Sequence, residues 1–154
     1  MASPVTPEVA ARPLFIINPM SGGGRTGKRL GSLIDAIERA GLQPDVVFTT
    51  HRGHGLDLAA EAIDEGREFL VACGGDGTVN EVANAIMAAG ANDRVRLGTI
   101  GMGTGKDIAK GLGIARGSLA IRAIVDGAER AIDIGKVTAQ AAGGIEHVRY
   151  FLLE

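Results

Sequence analysis

A chain of 154 residues with a formal net charge of −2 has the length of one domain, or of one domain and part of a second. It lacks the excess of positive charge that favours binding to nucleic acid. Its one cysteine, Cys73, excludes an intramolecular disulfide, and no apolar run approaches the roughly 20 residues of a membrane span, so we expect a cytoplasmic protein.

Apolar runs and helical periodicities alternate along the chain after a flexible tail predicted at residues 1–12. Strands are predicted, in chain order, at Leu14–Ile17, Asp45–Thr50, Phe69–Cys73 and Val95–Ile100. Helices are predicted at Lys28–Ala40, Leu56–Glu65, Val79–Ala89, Asp107–Leu112 and Leu119–Val125. Repeated strand–helix units of this length predict an α/β fold, a three-layer Rossmann-like domain over 13–128 whose mostly parallel sheet is covered on both faces.

The pattern changes near the C-terminus. The segments Ala131–Val137 and His147–Leu153 are typical of two strands, and the turn residues 142–144 lie between them. We therefore expect a second, β-rich domain to begin at 129 and to be incomplete at 154. Its apolar edge, residues 151–153, is expected to be exposed or to pair with another chain, which is a route to a homo-oligomer.

Glycines cluster where the predicted strands end. The clusters are Ser21–Gly24, Gly53 with Gly55, Gly74–Gly77 and Gly101–Gly105. The carboxyl ends of parallel strands meet at one edge of the sheet, and ligands of such folds bind there. Because glycine also lets a backbone approach a ligand closely, this clustering predicts a nucleotide site at that edge.

The segment Gly74–Glu81 is the most informative of these loops. A buried strand runs into a glycine turn, and the turn opens a helix whose first N–H groups have no partner within the helix. Phosphate is the usual occupant of such a place. Asp76, within the loop, is a poor phosphate contact and is better explained as a ligand for phosphate-bound Mg²⁺ or as an orienting group.

The remaining loops leave several interpretations open. Ser21 offers a hydroxyl, but no Lys-Ser/Thr pair follows the glycines, so the loop after the first strand is not a Walker A motif. Thr49 is either a β-favouring surface residue or a hydroxyl contact to the nucleotide. His51 and His54 are interpreted as solvated loop residues and not as metal ligands. Asp107 is either an acid favoured at a helix start or a functional residue.

Four motifs in this order resemble the catalytic domain of diacylglycerol kinases, together with the related sphingosine and bacterial lipid kinases. Gly74–Glu81 resembles the family's GGDGTxNE signature, Asn18–Gly22 its NPxSG loop, Gly103–Asp107 its GTxND segment and Asp133–Gly135 its Asp-x-Gly element. NAD kinases and 6-phosphofructokinases share the GGDGT element, and NAD kinases also share the fold. The continuation Val79–Val82 favours the lipid kinases.

The resemblance implies transfer of the γ-phosphate of ATP to a lipid alcohol at the membrane surface, with Mg²⁺ held by Asp76, in phospholipid biosynthesis. It implies nucleotide contacts by Asn18, Pro19, Met20, Ser21, Gly22, Thr49, Gly74, Gly75, Asp76, Gly77, Thr78, Val79, Asn80 and Thr104. It implies catalytic roles for Asp76, Asp107 and Asp133. In this family the general base belongs to the second domain, so we expect this chain alone to lack it.

Two other functions remain open from the sequence. The first is a non-catalytic or incomplete nucleotide-binding module, which the early end of the chain and Lys106, where the family has asparagine, favour. The second is an enzyme of the NAD kinase type, which shares the glycine signature. The protein is expected to be cytoplasmic, and as a lipid kinase it is expected to meet a membrane only through its lipid substrate.

Overall fold

The computed structural model describes residues 11–43, 45–102, 107–114, 117–127 and 129–152. Strands are observed at β1 Leu14–Ile17, β2 Asp45–Phe48, β3 Phe69–Gly74, β4 Arg96–Gly101, β5 Ile134–Gln140 and β6 Glu146–Leu152. Helices are observed at α1 Arg25–Lys28, α2 Leu30–Arg39, α3 His54–Asp64, α4 Asp76–Ala88, α5 Asp107–Gly111 and α6 Ser118–Asp126. No helix in the described ranges is long and apolar enough to cross a bilayer.

The first four strands form one parallel sheet in the order β2-β1-β3-β4. Strand β1 lies in its interior, with Ile17 opposite Phe48 on one side and Cys73 on the other. All four residues of β1 are buried, as expected for a short apolar run covered on both faces. The predicted α/β fold with a parallel sheet is confirmed.

Helices cover both faces of this sheet and complete the predicted three layers. On one face, α2 and α6 pack Leu33, Ile37, Ala120 and Ile121 against Phe15, Ile17, Val71, Cys73 and Ile100. On the other face, α3 and α4 pack Ala59, Ile63, Val79, Val82 and Ile86 against Leu14, Ile16, Leu70 and Ala72. The side chains of β1 and β3 alternate between these two cores, since successive residues of a strand point to opposite faces.

The predicted β-hairpin is also confirmed. Strands β5 and β6 pair antiparallel, with Ile134 opposite Leu152. Leu152 is buried against the α4 side of the sheet, whereas Phe151 is 42% exposed. The expectation of an exposed apolar edge was therefore wrong for Leu152, because strand alternation turns it towards the core. Leu153 lies outside the described residues, and the domain boundary near 129 stays a prediction.

The start of α4 differs from its predicted boundary by three residues, as do both ends of β5. Helix α4 begins at Asp76 and not at Val79, so Gly77 lies inside the first turn and the glycine turn is reduced to Gly74 and Gly75. Helix α3 likewise begins at His54, two residues earlier than predicted. Apolar periodicity starts only where a helix meets the core. The polar and glycine residues of these first turns therefore gave no helical signal.

Candidate functional site

The candidate site lies where the chain connections diverge from the middle of the sheet. Strands β1 and β3 are neighbours, but β1 connects to β2 on one side and β3 connects to β4 on the other. Such a topological switch point leaves a crevice at the carboxyl ends of the two strands. The Asn18 N–H donates to the Cys73 carbonyl at 2.9 Å, and this hydrogen bond holds the carboxyl ends of β1 and β3 together.

The N-terminus of α4 opens into this crevice. Gly75 is its N-cap in an extended conformation, and no side chain among the described residues caps the helix. The N–H groups of Thr78 and Val79 both donate to the Gly75 carbonyl. The N–H groups of Asp76 and Gly77 precede this first hydrogen-bonded turn, at the positive end of the helix dipole. A 13-residue helix therefore presents backbone donors at the edge of the sheet.

The glycines at this helix start are required for different reasons. A Cβ on Gly74 would come within 2.6 Å of Thr78 Oγ1 and 3.3 Å of Asn18 Cβ, so packing alone requires glycine there. A Cβ on Gly77 would meet no atom within 4 Å in the described structure. Gly77 is also helical and exposed. The described part of the fold therefore does not require glycine at position 77, and the described residues leave the space beside it open to a ligand.

Two of the three predicted acids meet at this edge. Asp76 Oδ2 accepts a hydrogen bond from the Asp107 N–H at 3.3 Å, which joins the start of α4 to the start of α5. Asp133 lies exposed just before β5, and in the described part of the chain no hydrogen bond connects it to Asp76. The sequence placed both of their loops at this edge of the sheet, and the structure adds the direct contact between Asp76 and Asp107.

The acids at this edge fit a magnesium ion that takes most of its ligands from phosphate oxygens and water. Among the described residues there is no group of three or more His, Cys, Asp or Glu side chains that could hold a metal. Asp76 uses one carboxylate oxygen for Asp107, and Oδ1 makes no hydrogen bond within the described residues. One carboxylate beside a phosphate site fits Mg²⁺, which commonly binds through one or two carboxylates, phosphate oxygens and water.

The loop after β1 is held in a defined shape. Asn18 Oδ1 accepts from the Met20 N–H at 3.0 Å, and Asn18 Nδ2 donates to Thr78 Oγ1 at 3.3 Å. The glycines that follow, residues 22–24, all have positive φ values, between 64° and 81°. A run of three left-handed residues is accessible only to glycine without strain, so this loop shape explains the glycine run.

Thr26 is a residue of this loop that the sequence did not single out. Its side chain is fully buried, and its hydroxyl is hydrogen-bonded to the Ser21 hydroxyl. It also lies 3.5 Å from the Met102 carbonyl, to which it can donate. Ser21 Oγ lies 3.0 Å from the Asn18 carbonyl, and because the two hydroxyls carry one proton each, only two of these three hydrogen bonds form at a time. Thr26 thus connects the loop after β1 to the loop after β4, and no sequence pattern marked it.

The loop after β2 lies on the other side of β1. Thr49 is buried, and its N–H donates to the Ile17 carbonyl at 2.9 Å. The Thr50 hydroxyl lies 3.0 Å from His51 Nδ1 and 3.1 Å from His54 Nδ1. The two imidazole rings are stacked with centroids 4.6 Å apart. Both histidines thus make local contacts with this loop, and His54 is the first residue of α3.

Glu81 is the second residue whose role the sequence did not reveal, although it closes the glycine signature. Its Oε1 accepts from the Gly53 N–H at 2.9 Å, and its Oε2 accepts from the Gly55 N–H at 3.0 Å. Gly53 is the N-cap of α3, which has no cap from a side chain of its own segment. A carboxylate from α4 therefore caps the neighbouring helix.

The structure brings together many of the predicted site residues, but it separates some. Direct hydrogen bonds or packing connect Asn18 with Met20, Ser21, Gly74 and Thr78, and a separate hydrogen bond joins Asp107 to Asp76. Met20 is 74% exposed, while the Val79 side chain belongs to the core and leaves only its backbone for a ligand. Asn80 Oδ1 is buried without a hydrogen-bond partner in the described structure. Thr104 lies outside the described residues.

Comparison with known proteins identifies the family to which this chain belongs. Residues 12–137 match the model of the diacylglycerol kinase catalytic domain, and the chain belongs to this family. It is 37% identical over 131 residues to a diacylglycerol kinase of Bacillus subtilis (strain 168), covering 84% of this chain and 43% of that protein. It is 34% identical over 139 residues to one of Staphylococcus saprophyticus, covering 86% of this chain and 45% of that protein.

A solved structure shows the same architecture. The crystal structure of a diacylglycerol kinase from Bacillus anthracis matches 92% of this chain and 45% of its own chain, with a TM-score of 0.65 and 25% sequence identity. The chain therefore spans less than half the length of the relatives that it matches.

Proposed function

We propose that this chain forms the nucleotide-binding part of an ATP-dependent lipid kinase, which transfers the γ-phosphate of ATP to a lipid hydroxyl. One observation carries the proposal. The N-terminus of α4 has Asp76 in its first turn and lies at the switch point of a parallel sheet, and the described residues neither cap it with a side chain nor fill the space beside Gly77. Backbone donors, room for a ligand and one carboxylate at one place match the needs of a magnesium-bound triphosphate.

The residues of the crevice have separate roles in this proposal. The N–H groups of Asp76 and Gly77 bind phosphate oxygens, and Asp76 Oδ1 is a ligand for Mg²⁺. When bound, this ion neutralises phosphate charge as the phosphoryl group leaves ATP. The Asp107 N–H orients the Asp76 carboxylate by holding Oδ2. Asn18 fixes the hydroxyl of Thr78 and so the first turn of α4.

The acceptor is proposed from the relatives and not from the geometry. The Bacillus and Staphylococcus proteins are named diacylglycerol kinases, so a diacylglycerol hydroxyl is the proposed acceptor, reached at the surface of a membrane. Asp133, at the entrance to β5, is proposed as a supporting acid, and Thr104 and Thr49 as further nucleotide contacts. Cytoplasmic localisation and association of copies through β5 and β6 belong to the same proposal.

Calorimetric titration tests the nucleotide step. ATP is titrated into the wild-type chain with and without Mg²⁺, beside NAD, and into Asp76→Asn. We expect Mg²⁺-dependent ATP binding that Asp76→Asn weakens at least about tenfold, because a charged ligand of the ion is lost. Asp93→Asn is the matched control, since it removes an exposed acid from the loop that follows α4. Equal affinity in Asp76→Asn would contradict the role of Asp76.

A transfer assay tests the lipid step. The chain is joined to the C-terminal half of the Bacillus subtilis relative, and transfer of labelled phosphate from ATP is measured with diacylglycerol in detergent micelles and with NAD. The proposal predicts a phosphorylated lipid and no phosphorylated NAD, with loss of transfer in the Asp76→Asn form. Transfer to NAD alone would instead support an enzyme of the NAD kinase type.

A further inference from the structure

We propose that Glu81 is a positioning residue for nucleotide binding, which fastens the loop after β2 to the helix that holds the phosphates. This inference rests on the proposed function, because it assumes that the crevice binds ATP. Glu81 does not itself touch the nucleotide in this proposal. It acts through the backbone of Gly53 and Gly55, and through them on the loop that contains Thr49.

The contact is a two-point attachment. Each carboxylate oxygen of Glu81 accepts one backbone N–H, from Gly53 at 2.9 Å and from Gly55 at 3.0 Å. Hydrogen bonds to an ionised acceptor are stronger than those between neutral groups. Two parallel bonds also fix the direction of the carboxylate, so the contact sets the position of the α3 N-terminus relative to α4.

The absence of a side chain at Gly55 leaves room for the Glu81 carboxylate. A Cβ on Gly55 would lie 2.6 Å from Glu81 Oε2, closer than a carbon and an oxygen can approach, and 3.4 Å from Glu81 Cβ. The Gly55 φ value is not positive, so the backbone itself accepts alanine there. The glycine is therefore explained by the space that the carboxylate occupies. Gly55→Ala would displace the carboxylate without straining the helix.

The loop between these attachments is held at both ends. Thr49, at its start, donates its N–H to the Ile17 carbonyl, and Gly53, at its end, donates to Glu81. Thr78 of α4 accepts from Asn18 of the loop after β1. Thr78 and Glu81 are three residues apart, so their side chains lie on the same face of the helix. Helix α4 thus holds the loop after β1 through Thr78 and the loop after β2 through Glu81.

A purely stabilising role for Glu81 makes different predictions. An acid near a helix N-terminus stabilises the helix through the dipole, whether or not it positions anything else. Asp57 lies in the first turn of the same helix with an exposed side chain, so Asp57→Asn removes a charge from the same helix end. If Glu81 acts only through the dipole, both variants will change the unfolding temperature and neither will change ATP affinity.

The test combines affinity, stability and a local reporter in the full chain. We expect Glu81→Gln, which keeps the length but loses the charge and one acceptor, to weaken Mg²⁺–ATP binding about tenfold. Gly55→Ala should weaken it by a similar factor, and the double variant Gly55→Ala/Glu81→Gln by little more than either alone, since both changes break one contact. Asp57→Asn should bind as the wild type does. The amide NMR signal of Gly53 should shift in both single variants, and that of Gly55 should shift in Glu81→Gln.

The outcomes separate this inference from the proposed function. Wild-type binding of Mg²⁺–ATP, with unchanged affinity in Glu81→Gln, would overturn the inference and leave the proposed function standing. Affinity losses in Gly55→Ala and Glu81→Gln that multiply in the double variant would also overturn it, because the two residues would then act separately. Absence of Mg²⁺–ATP binding in a folded wild-type chain would contradict the proposed function itself.

Discussion

Asn84 and Tyr150 are joined by a pair of hydrogen bonds that attach the β-hairpin to α4. Asn84 Oδ1 accepts from the Tyr150 N–H at 2.9 Å, and Asn84 Nδ2 donates to the Tyr150 carbonyl at 2.8 Å. A side-chain amide thus takes the place of a neighbouring strand beside β6. Four side chains along α4 therefore each contact a different segment. Asp76 contacts α5, Thr78 the loop after β1, Glu81 the loop after β2 and Asn84 the hairpin.

Replacing Asn84 with alanine should loosen the hairpin. Both groups of the Tyr150 backbone would lose their partner in a part-buried position, so we expect a loss of about 1–3 kcal/mol in the free energy of unfolding, measured in urea. Amide hydrogen exchange should quicken in β6 more than in β3. Asn92→Ala, at an exposed position after α4, serves as the control and should change neither quantity. Unchanged exchange at Tyr150 in Asn84→Ala would contradict this attachment.

The Asp-x-Gly element has a packing explanation at its glycine. Gly135 pairs with Phe151 across the hairpin, and a Cβ on Gly135 would overlap the Phe151 ring. Because the ring is 42% exposed and can move aside, Gly135→Ala should cost only about 1 kcal/mol, at the low end of overpacking effects. The double variant Gly135→Ala/Phe151→Ala should lose no more than Phe151→Ala alone. An additive loss, measured by denaturant unfolding, would show that the ring is not the obstacle.

Cys73 should report unfolding through its reactivity. It is fully buried at the end of β3, and burial raises the pKa of its thiol above the ordinary value. Since only the thiolate reacts, the native protein should resist alkylation by iodoacetamide at about pH 8, and raising the pH to about 9 should not restore the reaction. The unfolded chain in urea should react rapidly at both values. Fast labelling of the native protein would show that β3 opens readily.

The sequence predicted the elements that carry strong apolar patterns. β1 has the predicted bounds, Leu14–Ile17, and β3 begins at Phe69 as predicted and ends one residue later, at Gly74. Patterns of burial identify these positions because the core of a parallel sheet is apolar on both faces. The start of α4 was misplaced by three residues for the converse reason, since Asp76 and Gly77 face the crevice and bury no apolar surface.

The contacts within the site were less accessible to sequence reasoning. Thr26 and Glu81 connect segments that are 76 and 28 residues apart along the chain, at Met102 and Gly53. Such pairs depend on which strands become neighbours, and the order β2-β1-β3-β4 cannot be read from local periodicity. Motif resemblance identified Glu81 as part of the signature, but only the fold shows which helix its carboxylate caps.

The most direct test of the phosphate site is the affinity of Gly77→Ala for Mg²⁺–ATP, measured by calorimetry beside its unfolding temperature. Gly31 is the matched control, because it is the second residue of α2 as Gly77 is of α4, and a Cβ at either position would meet no atom within 4 Å. Alanine should stabilise each helix by up to about 1 kcal/mol.

If the start of α4 binds phosphate through its backbone, Gly77→Ala should fold at least as stably as the wild type and bind Mg²⁺–ATP about tenfold or more weakly, because the new methyl group occupies the space beside the phosphate. Gly31→Ala should bind ATP normally. Equal ATP affinity in wild type and Gly77→Ala would contradict the account, since the open space at this helix start would then not be where the nucleotide binds.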